Sequence, residues 1–212
     1  MRTHRIAAAG TLALLGLGTL GWSVASNDAV APTEVSVVPG SYGVDSTHSS
    51  VIFRIKHAGV TNFYGRFNKL TGSWTFDPDD LSTASFEFEI DNASVMTGAP
   101  DRDNHIKSPD FFNVKQFPTT SFKSTKLEAA SGGMYTLTGD LTFHGETHPV
   151  TATFEYLGEG SFQGHDLASF EATFEFNRRD FGMSTYGAAD GSDSGMLGNT
   201  IKIIVSVEGP KK

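Results

Sequence analysis

The chain has 212 residues and no cysteine, which excludes a disulfide scaffold and a lipoprotein anchor that needs a cysteine at its cleavage point. A formal charge of −8, with no block of Lys or Arg in the body of the chain, argues against nucleic acid as a partner, because that binding neutralises phosphates. Against 2 Trp and 5 Tyr stand 17 Phe and 23 Gly, a balance that suits short strands, frequent turns and an aromatic interior.

Residues 1–25 read as a signal peptide. Arg2 and Arg5 form a basic start, residues 6–22 are uncharged, and Ser23-Val24-Ala25 offers small residues at a cleavage site. The other reading, an uncleaved anchor, has an uncharged run of only 17 residues, four of them Gly, at the short limit for a span. Cleavage deepens the charge from −8 to −10 and implies a periplasmic or secreted protein. Residues 26–40, with Pro32 and Pro39, read as a linker, and residues 41–209 as one domain.

From Ser41 onward the hydrophobic period is two. Val51, Phe53, Ile55 and His57 share one face. The pattern returns in Leu70, Gly72, Trp74 and Phe76, and again in Phe86, Phe88 and Ile90. Further on come Tyr135 to Phe143, Val150 to Tyr156, Phe170 to Phe176 and Ile201 to Val207. Strict alternation marks strands with one apolar and one solvated face. Turn signals separate them at Asp77-Pro78-Asp79-Asp80, Ser131-Gly132-Gly133, His144-Gly145-Glu146 and Gly158-Glu159-Gly160. Within residues 96–118, Ala99-Pro100-Asp101 and Ser108-Pro109-Asp110 each resemble a helix start, predicting two short capping helices. The expected class is all-β and antiparallel, with about eight strands. Periodicity alone does not choose between a sandwich and a barrel.

The segment Tyr42-Gly43-Val44-Asp45-Ser46-Thr47-His48-Ser49-Ser50-Val51-Ile52-Phe53 resembles the opening of the YceI-like family of polyisoprenoid-binding proteins. Further matches follow in order: His57-Ala58-Gly59, Gly65-Arg66-Phe67, Arg102-Asp103-Asn104-His105-Ile106-Lys107-Ser108 with Phe111-Phe112, and Phe117-Pro118 leading to Ser121-Phe122-Lys123-Ser124. Gly139-Asp140-Leu141-Thr142-Phe143-His144-Gly145 and Asn177-Arg178-Arg179-Asp180-Phe181-Gly182-Met183 complete the set. The resemblance implies a single lipocalin-like barrel of eight antiparallel strands. It also implies a periplasmic protein whose apolar interior takes a polyprenyl diphosphate or a prenylated quinone. The Gly/Ser tract at residues 187–195 departs from the family pattern and leaves the rim beside it open.

A polyprenyl tail offers no hydrogen bonds, so only apolar area can hold it. The candidate wall residues are Phe53, Ile55, Phe88, Phe122, Leu141, Phe143, Phe154, Phe174 and Phe176. The same residues would also serve as a filled core, and the resemblance is what favours a hollow. For a polar head group the candidates are Arg102, His105, Arg178 and Arg179, since Arg suits phosphate geometry. Their alternative role is structural pairing with Asp103, Asp110 or Asp180. No metal site is expected: the spacing of His144 and His148 binds zinc only on a helix, and Gly145 and Pro149 mark a hairpin here. With no nucleophile motif and no paired carboxylates, the expectation is a binding protein, not an enzyme, with no cofactor. Its partner is a polyisoprenoid or quinone lipid, its membrane contact is passing, and a homodimer stays open.

Overall fold

A computed structural model of the chain describes residues 39–212. The expected signal peptide and most of the linker lie outside the described residues. Among the described residues eleven strands form one antiparallel sheet, accompanied by one α-helix. In chain order they are β1 Gly40–Gly43, β2 Ser50–His57, β3 Thr61–Phe67, β4 Leu70–Phe76, β5 Ser85–Asp91, β6 Val95–Met96, then α1 Pro100–Lys107. There follow β7 Thr119–Ala129, β8 Tyr135–Phe143, β9 Glu146–Phe162, β10 His165–Asn177 and β11 Leu197–Pro210. Neighbours across the sheet run β1-β4-β5-β7-β8-β9-β10-β11-β2-β3-β6. The sheet curls until its first strand meets a late one: Tyr42 bridges Lys211, and the Lys212 amide donates to the Ser41 carbonyl at 2.9 Å.

The strand count exceeds the expected eight for a physical reason. The opening apolar stretch is cut in two by a turn built on Asp45, whose carboxylate accepts from the Thr47 amide (2.8 Å) and hydroxyl (2.6 Å) and contacts His48 Nδ1 (2.9 Å). That turn moves the chain from pairing with β4 to pairing with β11. Two more strands carry weaker signals: β3 is interrupted by Gly65, and the two residues of β6 pair only with Arg66 and Phe67. The Asp45 contact also raises the pKa of His48 above its ordinary 6.5, chiefly through the hydrogen bond. An Asp45→Asn variant removes that charged acceptor, so His48 titrates closer to 6.5; proton NMR of the imidazole across pH reads the change.

Two local expectations need correction. Gly158-Glu159-Gly160 lies within β9, and the reversal comes later at Gln163 and Gly164, both at positive φ. The register shift opposite Ser169 and Phe170, with Gly158 at φ 124, marks a β-bulge. Of the two predicted capping helices only α1 forms, with Pro100 at its start, acids in its first turn and His105 and Lys107 in its last. Ser108 is extended before Pro109, and Asn113 takes a left-handed φ of 46°, so the following segment makes only turns.

The inward face packs aromatic on aromatic. Trp74 stacks on Tyr42 at 4.3 Å between ring centroids and meets Phe170 edge-on at 5.1 Å, while Phe154 packs on Phe170 at 5.0 Å and on Phe86 at 5.1 Å. Together with Phe76 these side chains are almost wholly buried and fill one part of the interior as a solid plug. A second cluster gathers Phe111, Leu141, Phe143, Val150, Phe181 and Met183.

Candidate lipid site

Between the plug and α1 the interior is hollow. The cavity has a volume of about 470 Å³, within the range of small-molecule sites. Phe170 belongs to both plug and wall and forms its floor. The wall takes Phe53 and Ile55 from β2, Phe63 from β3, Phe88 and Ile90 from β5, Phe122 from β7, and Leu141 and Phe143 from β8. Phe174 and Phe176 of β10 and Ile201, Ile203 and Val205 of β11 complete it, with Ile106 and Phe112 from α1 and the turns after it.

Why rings this large leave a hollow is explained by glycine. Phe53 stands opposite Gly65 in the β2–β3 register, and Phe88 opposite Gly72 in the β4–β5 register. A Cβ at either glycine would collide with its neighbour's ring, and one at Gly139 would collide with Phe122. Each ring therefore lies over a bare stretch of the adjacent strand, against the wall instead of across the lumen. Ala152 and Ala172 keep the β9 and β10 walls thin at the same cavity.

All the sequence-derived wall residues except Phe154 line this cavity. Phe154 is fully buried in the plug among Phe76, Phe86, Tyr135 and Phe170. Alternation identifies the inward face of β9 but not the height along it, and Phe154 sits deeper than Ala152. Sequence reading overlooked Phe63, Ile106 and Phe112; for Phe63 the alternation of Phe63, Gly65 and Phe67 was an available signal. Ile201, Ile203 and Val205 were recognised as a strand face, yet not as wall.

The polar candidates divide. Arg102 lies 4.5 Å over the Phe63 ring and donates to the Thr97 hydroxyl and carbonyl, both at 2.8 Å. His105 contacts the Asp110 carboxylate at 3.0 Å, one of the structural pairings foreseen, and meets Phe111 edge-on. Both still line the cavity. Arg179 donates to the Ala188 carbonyl at 3.3 Å and lies off the wall. Arg178 is 1 % exposed and on the wall. Its partners are not Asp180 but main-chain carbonyls: Nε donates to Gly198 (2.9 Å) and Nη2 to Thr185 (2.8 Å), while Nη1 has no acceptor among the described residues. Burial pushes its pKa down, and the nearby Arg179 charge adds to that.

The tract at residues 187–195 is what covers Arg178. Buried Asn199 donates to the carbonyls of Ala188 (3.0 Å) and Ser192 (2.7 Å), Asn177 donates to Gly191, and Asp193 accepts from the amides of Asn199 and Thr200, both at 2.7 Å. His144 and Gly145, at φ 51 and 86, make the two-residue reversal between β8 and β9. His144 Nδ1 contacts the Phe181 carbonyl at 3.0 Å, and His148 packs edge-on to the Phe181 ring. Among the described residues Asp45, His48 and Glu208 come close enough together to hold a cation, but Asp45 is already engaged by Thr47 and His48.

Known proteins resemble this chain in sequence or in fold. A UPF0312 protein of Pseudomonas paraeruginosa is 36% identical over 180 residues, covering 84% of this chain and 90% of its own. The crystal structure of BcnA from Burkholderia cenocepacia superposes with a TM-score of 0.68 at 24% identity, over 78% of this chain and 98% of that one. A structure described as a polyisoprenoid binding domain from Saccharophagus degradans gives 0.58 at 13% identity, over 81% and 98% of the two chains. The model of the YceI-like domain matches residues 42–209, from the first strand to the last, so that the curled sheet, its plug and its hollow all lie within the match and the chain belongs to the YceI-like family.

Proposed function

We propose that this protein is an exported, non-catalytic carrier that holds a long isoprenoid lipid in the hollow of a lipocalin-like barrel. The observation that carries the reading is a cavity of about 470 Å³ whose wall is overwhelmingly aromatic and aliphatic and includes no Asp or Glu. Such a wall suits a hydrocarbon tail, each CH₂ of which gains roughly 0.8 kcal/mol on leaving water. Several isoprene units then reach micromolar affinity or better after the cost of association. A wall without carboxylates offers no hard-metal ligand set, and of its two imidazoles, His57 and His105, the second is held by Asp110, which supports holding over turnover. The structural relative described as polyisoprenoid binding points to the same ligand class.

Loading requires passing contact with a membrane. Val60, Tyr186 and Met196 are exposed apolar residues at or beside the mouth, and the Ala58 amide ties the β2–β3 turn to the Met196 carbonyl at 2.7 Å. The test is to express the full chain in a bacterial host, purify it without detergent, extract it with organic solvent and analyse the extract by mass spectrometry. A prenyl lipid at near-stoichiometric amount is expected. An extract with none, from protein that also fails to take up added prenyl lipid, would overturn the reading.

A further inference from the structure

We infer that α1 and the turns after it, residues 98–113, form a hinged lid on the hollow, and that lipid enters and leaves when α1 lifts away from β3. The inference rests on the carrier reading and goes further by assigning the passage. Strands do not close the barrel wall at this place. On the side away from β2, β3 meets only the two residues of β6, which pair with Arg66 and Phe67, so residues 61–65 have no strand beside them there. Side chains of α1 cover the gap. Arg102 lies 4.5 Å over the Phe63 ring, Ile106 lines the hollow, and among the described residues no hydrogen bond runs from α1 to β3. On its other flank His105 meets the Tyr186 ring at 6.4 Å, so α1 forms one side of the mouth.

The lid is closed on itself. The Phe112 amide donates to the Ile106 carbonyl (2.9 Å), the Asn113 amide to Ser108 (2.9 Å) and the Val114 amide to Lys107 (3.1 Å), while His105 holds Asp110, so helix and turns move as one body. Its attachment to the barrel is slight. No residue of α1 is buried. Among the described residues, the one hydrogen bond from this body to a distant part of the chain runs from the Thr185 hydroxyl to the Asp110 carbonyl at 2.7 Å. Its seat is Phe111, in the second apolar cluster, and Phe112, which packs on Phe67 and Phe143 at 5.6 and 5.5 Å between centroids. Residues in the left-handed conformation flank it, Gly98 at φ 82 and Asn113 at φ 46, and a Cβ at Gly98 would meet nothing within 4 Å. Glycine crosses between positive and negative φ at little cost, as a hinge requires. By turning on Gly98 about the Phe111–Phe112 seat, α1 uncovers Phe63 and withdraws Ile106 from the hollow without breaking a strand pair.

A latch bridges the hinge. Across Gly98, the Thr97 amide and hydroxyl both donate to the Asp103 carboxylate, and Arg102 donates to the Thr97 hydroxyl and carbonyl. These bonds keep Arg102 over Phe63 and so keep the lid shut. Neither Thr97 nor Asp103 lines the hollow, so their bond is the same whether the hollow is filled or empty. Weakening it therefore speeds entry and release by one factor and leaves their ratio, the affinity, unchanged.

The chain has no cysteine, so a pair introduced by substitution can be joined selectively. Full-length protein carrying Phe63→Cys and Arg102→Cys, emptied of lipid, is treated with a short bismaleimide or, as its control, with a monofunctional maleimide. Uptake and release of a dansyl-tagged prenol are then followed by stopped-flow fluorescence. Both rates are expected to fall at least about ten-fold in the linked form relative to the control. A second variant works in the opposite direction. Thr97→Val removes the latch hydroxyl and keeps the amide, and both rates are expected to rise about five-fold with less than about two-fold change in affinity. Equal exchange rates in linked and control protein, or a Thr97→Val variant that changes affinity and not the rate of entry, overturn the lid and leave the carrier reading standing. Wild-type protein that binds no probe overturns the carrier reading, and the lid with it.

Discussion

Ala172→Phe is expected to cut prenyl-lipid affinity at least about a hundred-fold while leaving the lipid-free protein as stable as wild type or more so. Ala172 lies on β10 opposite Phe154 of β9 and Val205 of β11, and it faces the cavity just above the floor made by Phe170. A benzyl group there enters the lumen at the boundary between plug and hollow. It takes the space of about one isoprene unit, and five carbons at roughly 0.8 kcal/mol each put the gross loss near 4 kcal/mol. The lipid-free protein gains apolar contact where it had a void, a change that commonly adds about 0.5–2 kcal/mol. Opposite signs for affinity and stability separate blockade from misfolding, which would lower both. Displacement of a fluorescent lipid gives the first quantity and thermal unfolding of delipidated protein the second. Unchanged affinity would mean that the tail does not descend to Ala172.

The reach of sequence reading follows from what an alternating pattern contains. Within one strand it tells in from out, and so Phe53, Ile55, Phe174 and Phe176 were recognisable as inward-facing before any fold was known. It does not give height, and Phe154, on the inward face of β9, falls among the rings of the plug. Nor does it give the identity of the residue across the ladder, which is what decides between a filled and a hollow interior. Arg178 illustrates another limit: a nearby aspartate in sequence suggested a pair, but its acceptors are the carbonyls of Thr185 and Gly198, and main-chain acceptors leave no mark in a side-chain pattern. Strand β6 has two residues, too few to show any period.

Gly65→Ala tests the glycine account directly and is expected to weaken prenyl-lipid binding by about ten-fold, with a loss of stability on the order of 1–2 kcal/mol. Gly65 does not have a positive φ, so its backbone does not require glycine, and Ala alone would stabilise slightly through the unfolded chain. What forbids the methyl group is the Phe53 ring, the register partner that lies across it. The ring must leave the wall. Phe67 already packs against it at 5.8 Å between centroids, so the open direction is the cavity. Gly72 and Gly139 are poorer probes, because a Cβ there also meets the main-chain oxygens of Glu87 and Lys123, and backbone cannot swing aside. The deciding comparison is the double variant. If the displaced ring is what occupies the lumen, Phe53→Leu added to Gly65→Ala restores most of the lost affinity, even though Phe53→Leu alone removes wall area and weakens binding slightly. Such a reversal is a coupling between two residues in contact and is read from a double-mutant cycle. Additive losses would show that the ring never entered the cavity, and the flat-lying phenylalanines would then have no part in keeping it open.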